Sequence, residues 1–163
     1  MMHDLLNWIS QYGIIVLVSI IFLESLGAPL PGETALIGSG ILAANGQMSV
    51  IIMMVCAFLA AVFGDCAGYA IGHFGGRKLL TRFGGVLKLT PQRLHKFENA
   101  LNCRGFYFVA SARFIVVARQ LNGVIAGSGG MAFLKFLPAN IVGAALWVLV
   151  WGGGPFLIKK FWS

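Results

Sequence analysis

The sequence predicts an all-α integral membrane protein in which transmembrane helices surround two opposed re-entrant helical hairpins, laid out like an inverted repeat. Three observations carry this. Apolar residues make up 58% of the 163 residues and charged ones 10%, against about half and about a quarter in soluble domains. The chain contains uncharged runs of membrane-crossing length. The charges that interrupt those runs come with helix-breaking residues: two glutamates with two prolines first, two arginines with a set of glycines later. At this length a single domain is expected.

Residues 5–23, between Asp4 and Glu24, are uncharged. As a helix they reach about 28 Å, roughly one hydrocarbon thickness. No basic region and no clear cleavage site accompany them, so they read as a retained first segment rather than a removed signal.

Glu24-Ser25-Leu26-Gly27-Ala28-Pro29-Leu30-Pro31-Gly32-Glu33 follows. Pro29 and Pro31 lack backbone donors, so helix cannot run smoothly through this stretch. A broken helix at membrane depth survives only where protein or a water-filled cavity shields its polar groups. The uncharged run from Glu33 to Asp65 would be about 46 Å long as one helix, too long for one span. Asn45-Gly46 divides it into a half-span and a spanning helix over about 48–75. A half-span after a Pro-rich break predicts a re-entrant hairpin over about 25–46, broken at Pro29, Pro31 and Gly32. An interfacial helix is the alternative.

Gly64, Gly68, Gly72 and Gly76 recur every four residues, which lines one helix face for close backbone packing. Asp65 lies beside that ridge. Arg77, Lys78, Arg82, Lys88, Arg93, Lys96 and Arg104 then form a basic segment opposed only by Glu98, within a net charge of +7. Such an excess marks a cytoplasmic loop. Hydrophobic segments flank it closely on both sides, which argues against a nucleic-acid partner. Thr90-Pro91 can open a helix, and Leu94, Phe97 and Leu101 share a face, so residues 77–104 are expected to hold an amphipathic surface helix. Cys56, Cys66 and Cys103 form no CxxC pair and are expected to serve packing, with no metal or other cofactor.

From about 105 to 130 the chain is apolar again, interrupted by Arg113 and Arg119. Gly123, Gly127, Gly129 and Gly130 make a continuous span improbable, which predicts a second re-entrant hairpin. Paired interrupted segments are the layout of transporters with inverted repeats, whose site lies where the repeats meet. The last span is expected over about 133–158, with Gly152-Gly153-Gly154-Pro155 ending or kinking it. It leaves Lys159 and Lys160 on the side opposite the basic segment, against the positive-inside tendency.

Glu24, Glu33, Asp65, Arg113 and Arg119 are the candidate substrate-binding and proton-coupling residues. Unpaired, the glutamates and arginines alone would cost on the order of 10–14 kcal/mol, comparable with a domain's whole stability. They are expected to face one another, an aqueous cavity, or both. A buried charge network with no ligand is the structural alternative, though such pairs rarely stabilise better than apolar packing. Guanidinium groups match phosphate with paired donors, and carboxylates beside them could exchange protons.

The chain resembles the DedA family, also described as SNARE-associated or VTT-domain membrane proteins. The matching residues are Phe22-Leu23-Glu24-Ser25, Pro29-Leu30-Pro31-Gly32-Glu33, Gly64-Asp65 with Gly68-Tyr69 and Gly72, Arg113-Phe114-Ile115 with Arg119, Ala126-Gly127 with Met131, and Asn140 with Gly143 and Trp147. Where the family often has Pro-Gly between its arginines, this chain has Val116-Val117. The resemblance implies two opposed re-entrant hairpins in the bacterial cytoplasmic membrane, with the acids and arginines functional. It implies return of undecaprenyl phosphate or movement of a phospholipid between leaflets, linked to the proton motive force. The expected partners are membrane lipids and protons, with a homo-oligomer as a further possibility. A proton-coupled cation or drug antiporter is the runner-up. A lipid phosphatase is disfavoured because His3, His73 and His95 lie outside the hairpins. A non-transporting scaffold is the remaining alternative.

Overall fold

The computed structural model describes residues 2–87 and 90–162, with side chains described from Gln11 onward apart from several between 77 and 97. Among the described residues the chain is all-helical. In order come α1 (Met2–Ser25), α2 (Gly32–Ala44), α3 (Val50–Leu87), α4 (Pro91–Ala112), α5 (Val116–Ser128), α6 (Phe133–Val148) and α7 (Gly154–Trp162).

Two of these stretches are long and apolar enough to cross a bilayer: Val50–Gly76 of α3, and Phe133–Trp162. The latter runs from α6 through a π turn at Leu149–Gly153 into α7. The glycines therefore alter the helix without ending it, and it continues to Trp162. Both stretches leave large apolar side chains uncovered along one side: Ile51, Val55, Phe63 and Phe74 on α3, Leu134, Leu146, Val150 and Ile158 on α6–α7. A contiguous apolar surface of that kind has a stable place against lipid. The opposite side of α3 is packed with Met53, Ala57, Ala60 and Ala61, so the helix has one lipid-facing and one protein-facing side.

α1 runs parallel to α3. Gly13 lies against Met48, and Ser25 lies against Gly64. The first apolar run thus ends beside Gly64, halfway along α3. Its end is built by Gly27, whose φ of 110° lies in the left-handed region and suits a residue without a Cβ. The amides of Gly27 and Ala28 bond back to Glu24 and Leu23. Pro29 and Pro31 then carry the chain through two tight turns, closed by Leu30 N–H to the Ala28 carbonyl and Gly32 N–H to the Leu30 carbonyl, until α2 starts. α2 returns toward the beginning of α3, with Leu36 and Gly40 against Gly152. Lys159 donates to the Ala44 carbonyl at 3.3 Å and to the Asn45 side chain. α1 and α2 therefore form a first helical hairpin, with the proline loop at its turn.

The second hairpin approaches from the other end of α3. Thr90 is extended and Pro91 opens α4. Arg93, Lys96 and Arg104 are exposed and Leu101 is buried; the side chains of Leu94 and Phe97 lie outside the described residues, so the three-residue apolar face is visible only at Leu101. Non-helical torsions at Arg104 separate this part of α4 from its apolar arm, which ends at Ala112. Phe114 and Ile115 bond back to Ser111 and Ala112, Ile115 is extended, and α5 begins at Val116.

α5 runs parallel to α3 through a close glycine crossing. A Cβ on Gly123 would collide with the Asp65 carbonyl, one on Gly127 with that of Tyr69, and one on Gly72 with that of Val124. Gly123 and Gly127 therefore sit inside α5 as packing residues; the apolar run breaks at 113–115, and again at Gly129-Gly130, which end α5 as expected. Gly64 and Gly68 face α1 and α5. Gly76 does not belong to the ridge: nothing lies within 4 Å of its Cβ position, and its φ of 56° and ψ of −149° kink α3. Tyr69 pins the next turn, donating to the Met131 carbonyl at 2.5 Å and stacking on Phe136.

Candidate functional site

The ends of the two hairpins meet beside the middle of α3. Glu24 lies in the last turn of α1 and Glu33 in the first turn of α2, on either side of the proline loop. Arg119 is in the first turns of α5, and Gly27 lies against Gln120 and Leu121. Arg119 Nη2 donates to Glu24 Oε1 at 2.5 Å, and Nη1 is 3.7 Å from Glu33 Oε2. One guanidinium is thus shared by two carboxylates, one from each side of the loop. Gly32 completes the fit, since a Cβ there would occupy the position of the Glu24 carboxylate.

The two carboxylates differ in access. Glu24 is 2% exposed and Glu33 30%. Glu33 stands near the exposed Pro29, Pro31 and Thr34, so this edge of the cluster opens outward. Trp147 also lies against Arg119, with the guanidinium carbon 5.1 Å from its ring centroid.

Asp65 and Arg113 form a second pair, fully buried at 1% exposure each. Arg113 Nη2 donates to Asp65 Oδ2 at 2.5 Å, to Asn140 Oδ1 at 2.6 Å and to the Ala61 carbonyl at 3.3 Å. Asn140 donates in turn to the Val62 carbonyl, and Asn122 donates to Asp65 and to the Val109 carbonyl. Four elements, α3, α4, α5 and α6, are tied by this network. Gly143 gives it room: a Cβ there would press on the Arg113 stem and on Ala110.

The structure therefore brings Glu24, Glu33 and Arg119 into one cluster and Asp65 and Arg113 into another, rather than all five into one. Pro29, Pro31 and Gly32 form the loop between the first two acids. His73 stacks on Tyr69, and His95 is exposed beside Asn99. Cys56 and Cys66 are half-buried, whereas Cys103 is exposed and does not serve core packing. Sequence reasoning gave no role to Asn122, and it took Asn140 and Trp147 only as points of resemblance. An amide in an apolar run needs a buried partner, and that signal was available at Asn140.

Opposed helical hairpins with charged ends, flanked by two long apolar helices, define a helical membrane protein with a polar centre. Residues 30–153 match the VTT domain. An uncharacterised membrane protein of Synechocystis is 35% identical, covering 86% of this chain and 64% of its own length. Protein DedA of Escherichia coli K12 is 31% identical over 87% of this chain and 68% of its own. A Lactococcus lactis protein named alkaline phosphatase-like is 28% identical over 92% and 72%. No solved structure matches. The chain belongs to the DedA family of VTT-domain membrane proteins, and it spans about two thirds of the length of these relatives.

Proposed function

We propose that this protein moves a lipid phosphate, undecaprenyl phosphate or a phospholipid, between the leaflets of the bacterial cytoplasmic membrane with proton coupling. The observation that carries this is Arg119, held between one buried and one partly exposed carboxylate. A phosphate arriving from the Glu33 edge would meet a guanidinium already oriented for paired donation. It would displace a carboxylate, and the displaced group would keep its place by taking a proton, because an unpaired charge at this depth is costly. Glu24, Glu33 and Arg119 together carry one net negative charge when ionised. One proton therefore balances the empty site, a bound phosphate monoanion calls for a second, and anion and second proton would travel together.

The first turns of α2 and α5 both lie at this cluster, and helix N-termini carry partial positive charge that favours an anion. In this reading α1–α2 and the apolar arm of α4 with α5 are re-entrant hairpins from opposite leaflets, related as inverted repeats. Their ends meet in the bilayer's middle. The basic segment faces the cytoplasm, and the protein is multi-pass. Asp65 and Arg113, closed in by two asparagines, hold the second hairpin in register.

The test is binding by the purified protein in detergent. A polyprenyl phosphate should raise its melting temperature, the corresponding polyprenol should not, and Arg119→Ala should abolish the effect. Equal stabilisation by phosphate and alcohol would contradict the proposal. Arg119→Lys distinguishes the antiporter alternative, which needs carboxylates but not a guanidinium. A phosphatase would release inorganic phosphate from the same lipid.

A further inference from the structure

Arg119 is held by two bodies that a transport cycle would have to separate. Glu24 and Glu33 belong to the α1–α2 hairpin, whereas Trp147 belongs to α6, part of a long apolar helix. The Arg119 guanidinium lies 5.1 Å from the Trp147 ring centroid, inside the roughly 6 Å range of cation–π attraction. Trp147 is 1% exposed and packed among Leu17, Leu36, Met53 and Val148, so water does not screen the contact. Its indole N–H is buried without a hydrogen-bond partner. What this residue offers Arg119 is the face of its ring.

We infer that Trp147 is the positioning residue of Arg119: its ring keeps the guanidinium at the centre of the protein while the carboxylate partners are exchanged for phosphate. This rests on the transport reading and adds to it the residue that holds the anion-binding group. An arginine released from Glu24 in a dry setting would be a stranded charge. A third carboxylate would prevent that, but it would compete with the incoming phosphate. An aromatic face attracts the cation from above and leaves its in-plane N–H donors available for an anion. It also carries no titratable proton, so the seat remains when the acids change state.

Two measurements test this, one independent of transport. In thermal unfolding of the purified protein without ligand, Glu24→Gln and Trp147→Met should be worse together than the sum of their separate shifts. Each single variant still leaves Arg119 a partner. Glu24→Gln with Trp147→Phe, which keeps a ring, should fall close to that sum; additive shifts for both pairs would overturn the inference. In vesicles carrying a fluorescent polyprenyl phosphate, Trp147→Met should raise the half-saturating lipid concentration roughly three- to thirtyfold with little change in maximal rate. Trp147→Phe should recover most of that loss. Equal effects of Phe and Met, or a loss confined to maximal rate, would mark Trp147 as packing only. If the wild type moves no lipid phosphate, the transport reading fails, and the unfolding comparison still decides the role of Trp147.

Discussion

Arg119 and Glu24 belong to hairpins that approach from opposite ends of α3, and their side chains meet at 2.5 Å with both residues buried. The pair joins the two hairpins at the point where each turns back.

Glu24→Gln should be far more damaging to stability than Glu33→Gln. Removing one partner of a buried pair costs roughly 3–5 kcal/mol, whereas an exposed, longer pair is worth about 1 kcal/mol or less. Glu33 is 30% exposed and 3.7 Å from Arg119. Thermal unfolding in detergent should show a large drop for the first variant and a small one for the second. Both should lose lipid-phosphate transport, which separates the structural from the functional share of each acid.

Asp65→Asn and Arg113→Met should each lower stability by roughly 3–5 kcal/mol, and their combination should cost less than the sum. The physical reason is that each single change strands a buried charge that the other would have neutralised. Additive losses would mean that Asn140 and Asn122, not the ion pair, hold the network together.

At the α3–α5 crossing, Gly123→Ala or Gly127→Ala should destabilise by roughly 1–3 kcal/mol, because the new Cβ would meet backbone on α3 and force the helices apart. Gly38→Ala in α2, with nothing within 4 Å of its Cβ position, should be neutral or stabilising by up to about 1 kcal/mol. The same unfolding assay reads both.

Orientation can be read at two points. Cys103 is exposed on the arm carrying the basic segment. Lys159 is tied to Asn45 just before α3 begins. A membrane-impermeant thiol reagent should reach Cys103 only in inside-out vesicles. A cysteine placed at Phe161, exposed near the end of α7, should react only from the other side. Labelling of both positions from one side would refute the antiparallel course of α3 and α6–α7.

The first turning point of the chain was legible in the sequence, because two prolines between two charges in an apolar run leave few alternatives; the second, at 113–115, has no proline and was hidden behind the glycines that follow it. Depth was not legible. Residues 5–23 have the length of a span, and nothing in their hydropathy shows that Ser25 stops at Gly64, halfway along α3. The glycines misled in both directions. Gly123 and Gly127 look like helix breakers but are helix-packing residues, and Gly76 fits a packing ridge but forms a kink. Spacing identifies a helix face and cannot say what approaches it. At the site, charge cost alone marked Glu24, Glu33, Asp65, Arg113 and Arg119. Their division into two clusters depends on which hairpin end meets which, a tertiary fact. Trp147 stood out only as a point of resemblance, because an aromatic residue in an apolar helix ordinarily needs no partner but the core.

The central claim is that a guanidinium shared between two hairpins exchanges carboxylate for phosphate as a lipid crosses the membrane. Its most direct test is leaflet exchange of a fluorescent polyprenyl phosphate in sealed proteoliposomes with an imposed pH gradient, comparing wild type with Arg119→Ala. Gradient-driven exchange is expected of the wild type and a loss of about a hundredfold or more of the variant, as for removing a charge-assisted, paired contact. Equal exchange by the two proteins, or wild-type exchange indifferent to the gradient, would contradict it.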